Sequence, residues 1–278
     1  MAPNTGLSRA IPQSVGLCYN APAMRLQELV LIVSLQAVGL LLLSRLLFAG
    51  VISSVADRRG KGLLLGLLRL PGNTIHELSH CLGFLICGYR VKRVLLCIFD
   101  PRGRGSCTPG RAWSPITLPQ LAVGVSALMP LLVGSLVLIL AARGLHIPAP
   151  AAQPPQGDLL PELWRQSVHL LHGLDPHRWQ TYLFLYLALS VGAELAPSST
   201  DLRYALPTLV LLAACSWLTL FALDHAAHLQ AYRHSVVAGL GVGLLQLGSV
   251  LSVALVVTAS ATVVGLIPGL MIQGLRAK

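Results

Sequence analysis

Three side chains within five residues carry chemistry: His76, Glu77 and His80, set in the run Pro71-Gly72-Asn73-Thr74-Ile75-His76-Glu77-Leu78-Ser79-His80. On a helix, residues four apart lie one turn apart on the same face, so both imidazoles can bind one Zn²⁺. Glu77 then stands beside the metal without ligating it. It is placed to take a proton from a water made acidic by the metal and to return it to a leaving amine. H-E-x-x-H is the spacing of metal-assisted peptide hydrolysis.

Two imidazoles leave a catalytic zinc short of its usual three protein ligands, so a third must come from elsewhere. Asp201, which follows Pro197-Ser198-Ser199-Thr200, is the first candidate, and Glu194 is the runner-up. Asp175 and the outer-loop histidines are the remaining choices. His169 and His172 form H-x-x-H, but that stretch also reads as an amphipathic loop helix. Ser-Ser-Thr-Asp is equally good material for capping the helix that follows, so the role of Asp201 stays open on sequence alone.

The elements that must position these residues are apolar. The chain has 278 residues, of which 54% are hydrophobic and 11% charged, with a mean hydropathy of +0.71. A soluble domain carries about 25% charged residues, so this composition implies an integral membrane protein. The net charge of +10 does not imply nucleic acid. The basic residues fall in short segments between apolar runs, without aromatic platforms, which fits anionic lipid headgroups and the orientation of spans.

Apolar tracts at about 29–51, 62–88, 118–142, 181–196, 204–223 and 236–272 predict an all-α polytopic protein with about six transmembrane helices. If six spans alternate and the basic 89–118 loop is cytoplasmic, both termini are cytoplasmic. Residues 1–28 read as a loose tail and 29–278 as a single membrane domain. Proline is tolerated in a first helical turn, so the motif helix is expected over 71–88, with 62–70 leading in. A β-hairpin is expected within 89–118, with strands at 91–98 and near 105–112 around the turn residues Asp100 to Gly105. A Pro-rich connector occupies 143–180. The six cysteines show no disulfide framework, although Cys97 and Cys107 could face each other in the hairpin.

In these residues the chain resembles the site-2 protease-like intramembrane zinc metalloproteases, in particular their small bacterial branch. The matching features are H-E-L-S-H after Pro-Gly, a basic hairpin, a further span, a connector and a downstream Pro-Ser-x-x-Asp, covering roughly residues 60–210. The resemblance implies Zn²⁺ as cofactor, a multi-pass location in a bacterial plasma membrane, and a membrane protein or peptide as substrate. It also implies a hairpin that lies near the site and presents an extended substrate. The larger members carry the third ligand in an Asp-Gly motif, whereas here Leu202 follows Asp201. Two other classes fit less well: a non-catalytic scaffold would have no need of an intact Glu77, and a transporter calls for ionisable residues spread over several spans.

Overall fold

The computed structural model describes residues 26–47, 58–96, 105–113, 118–148, 159–195, 198–225 and 230–276. The N-terminal tail, Cys18, Cys97, the hairpin turn at 100–104, residues 149–158 of the Pro-rich connector, Pro197 and His228 lie outside them.

Seven helices and one hairpin follow in order: α1 (Leu26–Leu46), α2 (Arg58–Ile86), β1 (Tyr89–Leu95), β2 (Ser106–Ala112), α3 (Pro119–Gly144), α4 (Leu159–His172), α5 (Trp179–Leu195), α6 (Ser199–His225) and α7 (Gln230–Arg276). A helix occupies each apolar tract, but the expectation of six transmembrane helices is overturned. Among the described residues only two helical segments, Pro119–Gly144 and Ser235–Val264, are long and apolar enough to cross a membrane. A span needs about 20 consecutive apolar residues. The apolar part of α1 is confined to Val30–Leu46, and α5 has 17 residues. In α2 the polar groups Arg69, His76, Glu77 and His80 interrupt the apolar run.

The packing of α3 is the reverse of a water-soluble helix. It buries Ala122, Gly124, Ser126, Ala127, Gly134 and Ser135 while Leu132, Leu136 and Leu140 are exposed. Small residues inside and a stripe of leucines outside is the pattern of helices that pack in lipid, where apolar side chains gain nothing by turning inward. Trp164, Trp179 and Tyr182 are also exposed, close to the ends of α4 and α5, as aromatic residues are at the edge of a bilayer. Among the described residues, these features associate the chain with a membrane through two helices of spanning length rather than six.

The core that carries the site is built from α1, α3, α5 and α7, with Leu40, Leu138, Phe184, Val191 and Leu251 almost fully buried at its centre. Helix α2 packs on α3, α5 and the hairpin. Contrary to the expected start near Pro71, α2 runs unbroken from Arg58 through Pro71 to Ile86. Proline has no N–H, so the carbonyl four residues earlier, that of Leu67, loses its helical donor. The Tyr186 hydroxyl of α5 supplies it, donating to Leu67 O at 2.5 Å. One residue on, the Gly72 N–H donates to Ser190 Oγ at 3.0 Å, and a Cβ on Gly72 would collide with the Ser190 carbonyl. Helix α5 therefore lies against the proline turn and repairs it.

Helix α2 ends at Gly88, whose φ of 82° only glycine adopts without strain. The chain then enters β1, which pairs antiparallel with β2, matching Tyr89 to Ala112, Val94 to Cys107 and Leu95 to Ser106. Cys107 is not turned toward Cys97 as the sequence allows; it is bonded to Cys81 of α2, with Cα atoms 5.7 Å apart.

The repair of the proline turn is testable. Tyr186→Phe leaves Leu67 O without its donor and should lower stability by about 1 kcal/mol. In a Pro71→Ala background, where the backbone N–H is restored, the same change should cost much less. Chemical unfolding of the four proteins checks this, and equal costs in both backgrounds would contradict it.

Candidate metal centre

The C-terminal half of α2 carries the polar face, and α3, α5 and α6 supply what that face meets. His76 Nδ1 donates to the backbone carbonyl of Glu194 at the end of α5, 2.6 Å away. His80 Nδ1 donates to the backbone carbonyl of Ser126 on α3 at 2.9 Å. A carbonyl can only accept, so both rings carry a proton on Nδ1, and each neutral ring keeps its lone pair on Nε2. The two Nε2 atoms face each other at 3.1 Å. Without a cation or proton between them, two lone pairs at that distance repel.

Asp201, in the first turn of α6, closes the group. Its Oδ1 lies 3.7 Å from His80 Nε2 and its Oδ2 3.9 Å from His76 Nε2. One ligand atom from each of the three residues lies within 4.8 Å of the others. Two nitrogens bound at about 2.05 Å to a tetrahedral zinc stand about 3.3 Å apart, so the imidazole pair already has nearly the spacing such an ion requires. The donor set of two neutral imidazoles and one carboxylate is one that zinc accepts at hydrolytic centres. The residues fit the metal.

Asp201 also caps its helix. Its Oδ2 accepts from the Ser198 N–H at 2.9 Å, and its own N–H donates to Ser198 Oγ at 3.1 Å. This reciprocal pair holds the carboxylate at the helix start with the other oxygen toward His80. Capping and metal holding, alternatives on sequence, are compatible in one side chain.

Glu194, the runner-up, is engaged elsewhere: its Oε1 accepts from Arg69 Nε at 2.6 Å, in a pair whose side chains are each 15% exposed. Its backbone carbonyl serves the site, and its carboxylate is outside the metal group. Asp175 is tied to Arg178 and to the His177 N–H. His169, His172 and His177 join no metal-holding group among the described residues.

Glu77 is 4% exposed, and its Oε2 is buried without a hydrogen-bond partner. Helix α2 is not one of the two segments of membrane-crossing length. Burial pushes the Glu77 carboxyl up to about 7, with the charges of Asp201 and Glu194 adding and Arg69 opposing. Burial also lowers His80, helped by His76 and opposed by Asp201. Gly105, just before β2, lies directly against the Glu77 carboxylate, where no side chain would fit.

These groups line one cavity of about 520 Å³, walled by α1, α2, α3, the end of α5, α6 and the hairpin. Close approach makes the wall: a Cβ on Gly83 would stand 2.5 Å from Ser126 Cα, and Ser126 Oγ donates to the His80 carbonyl at 2.9 Å. The part played by Ser126 had no signal in the sequence, since its use lies in its backbone carbonyl. The Cys81–Cys107 bridge also escaped the sequence, because its partners belong to a helix and a strand.

Comparison with known protein families, with curated proteins and with solved structures finds no match to this chain.

The bridge ties β2 to the residue after His80 across a sequence separation of 26. Closing a loop of that length stabilises by about 3.5 kcal/mol on the chain-entropy account. Reduction, or Cys107→Ser, should therefore lower the unfolding free energy by about that amount, with amide exchange rising first in the hairpin. Unfolding curves with and without reductant that coincide would contradict the bridge.

Proposed function

We propose that the chain is a membrane-associated zinc endopeptidase that hydrolyses peptide bonds of membrane-embedded or membrane-proximal substrates, similar in its site to the site-2 protease-like metalloproteases. The observation that carries this reading is the convergence of two Nδ1-protonated imidazoles and one carboxylate beside a buried, unpartnered Glu77.

In this reading His76 Nε2, His80 Nε2 and the Asp201 carboxylate hold the ion. Bound zinc would supply Lewis acidity toward a water near neutral pH. Glu77 is placed to take a proton from the attacking water as its oxygen bonds to the peptide carbonyl carbon. It then delivers the proton to the leaving nitrogen as the C–N bond breaks. The carbonyls of Glu194 and Ser126 hold the imidazoles in the tautomer that ligation needs, a role that outer hydrogen bonds commonly have at metal sites. The hairpin, with Gly105 against Glu77, lies where an extended segment could pair with an exposed strand edge, a mode of recognition that tolerates varied sequence. A bacterial plasma membrane is the location that goes with this reading.

The test separates proton transfer from ligation. Glu77→Gln should keep stoichiometric zinc in detergent-purified protein while cleavage of an internally quenched transmembrane peptide falls by about 10²-fold or more. His80→Ala should lose both zinc and cleavage. A Glu77→Gln protein that cleaves as fast as wild type would remove the enzyme reading.

A further inference from the structure

The metal-facing stripe of α2 holds one polar side chain that the mechanism above leaves without a task. Asn73 stands three residues before His76, four before Glu77 and seven before His80. These spacings place it on the same helical face, about one turn toward the N-terminus. It is 2% exposed, and its Nδ2 has no hydrogen-bond partner. Yet it lines the same cavity as His76, Glu77, His80 and Asp201.

Leaving a buried amide donor unpaired costs on the order of 1–3 kcal/mol, so a donor kept in that state beside a hydrolytic centre needs a reason. Several of the other polar groups on this cavity have partners, and Arg45 of α1 lines it as well. Arg69 is paired with Glu194, and the two imidazole N–H groups are given to backbone carbonyls. Glu77 and Asp201 are acceptors when ionised. Hydrolysis of a peptide moves the carbonyl π pair onto oxygen when the water oxygen bonds to carbon. That oxygen gains negative charge, and a neutral donor on the wall of the cavity stabilises it.

We infer that Asn73 is a catalytic residue whose side-chain amide donates to the scissile carbonyl oxygen as it becomes an oxyanion. The inference rests on the peptidase reading and gives the site its donor on the substrate side. The charge returns to the carbon–oxygen double bond when the C–N bond breaks and Glu77 protonates the leaving nitrogen, so Asn73 exchanges no proton. An amide suits this position better than a carboxylate, because it offers N–H without adding charge beside the metal ligands. Donors of this kind are worth about 10²–10³-fold in turnover when removed.

Two variants and two readouts test it. Asn73→Ala removes the donor; Asn73→Asp keeps the shape and replaces N–H by oxygen, which separates donation from packing if the alanine variant folds poorly. Zinc content, kcat and KM on the quenched transmembrane peptide are measured alongside the affinity of a phosphonate peptide, whose tetrahedral anionic oxygens imitate the oxyanion. Both variants should retain zinc and hold KM within about threefold, while kcat falls by about 10²-fold and phosphonate affinity falls in parallel. Unchanged kcat and phosphonate affinity in both variants would overturn the assignment, as would a loss confined to KM or to zinc. A wild-type protein that binds zinc and cleaves nothing would defeat the peptidase reading instead. In that case, phosphonate affinity equal in wild type and both variants would defeat the Asn73 assignment too.

Discussion

Two lone pairs facing each other across 3.1 Å are the constraint on which the rest of the site depends. Neither imidazole is free to relieve the repulsion by changing tautomer. The Glu194 and Ser126 carbonyls hold a proton on each Nδ1, and they belong to helices packed on either side of α2. The arrangement is therefore set by how α3 and α5 dock, and a proton or a cation between the nitrogens, with Asp201 opposite, would satisfy it. The close contacts at Gly72 and Gly83 belong to the same requirement. A larger residue at either would move a neighbouring helix away from α2 and draw the carbonyl acceptors off the rings.

The electrostatics around this group are divided among separate partners. Arg69 neutralises Glu194, so that residue contributes a backbone carbonyl without crowding the centre with another unpaired charge. Asp201 is aimed by its reciprocal bonds with Ser198. Glu77 alone among these carboxylates is buried with an oxygen left unpartnered, and the backbone of Gly105 lies on it. The Cys81–Cys107 bond holds that part of the hairpin to the helix that carries the motif. Glu77, the two histidines, Asp201 and the strand over them are thus parts of one connected wall.

How much of this could be read in advance depends on where each signal lies. His76, Glu77 and His80 declare themselves because helical spacing is a local property, and the hairpin was foreshadowed by a short β-prone run followed by Gly and Pro. On sequence Asp201 is the first candidate and Glu194 the runner-up; that Arg69 engages the Glu194 carboxylate is visible only in the fold. The continuity of α2 through Pro71 was hidden because the repair comes from Tyr186, far away in the chain. The six-span expectation failed because apolar tracts were counted as spans. The shortness of the tract that forms α5 and the charged and polar groups that break up α2 are both visible in the sequence and argue against spans there. Asn73 carried a signal that went unused: it lies on the stripe that made the histidines recognisable.

The measurement that bears most directly on the central claim is X-ray absorption at the zinc edge on purified, zinc-loaded protein, compared with Asp201→Ala. Two imidazole nitrogens near 2.0–2.1 Å and light oxygen scatterers at about 2.0–2.2 Å, without sulfur, are expected, and the protein-derived oxygen should be lost in the variant. A shell containing sulfur at about 2.3 Å, or a spectrum unchanged by removing Asp201, would contradict the site described here.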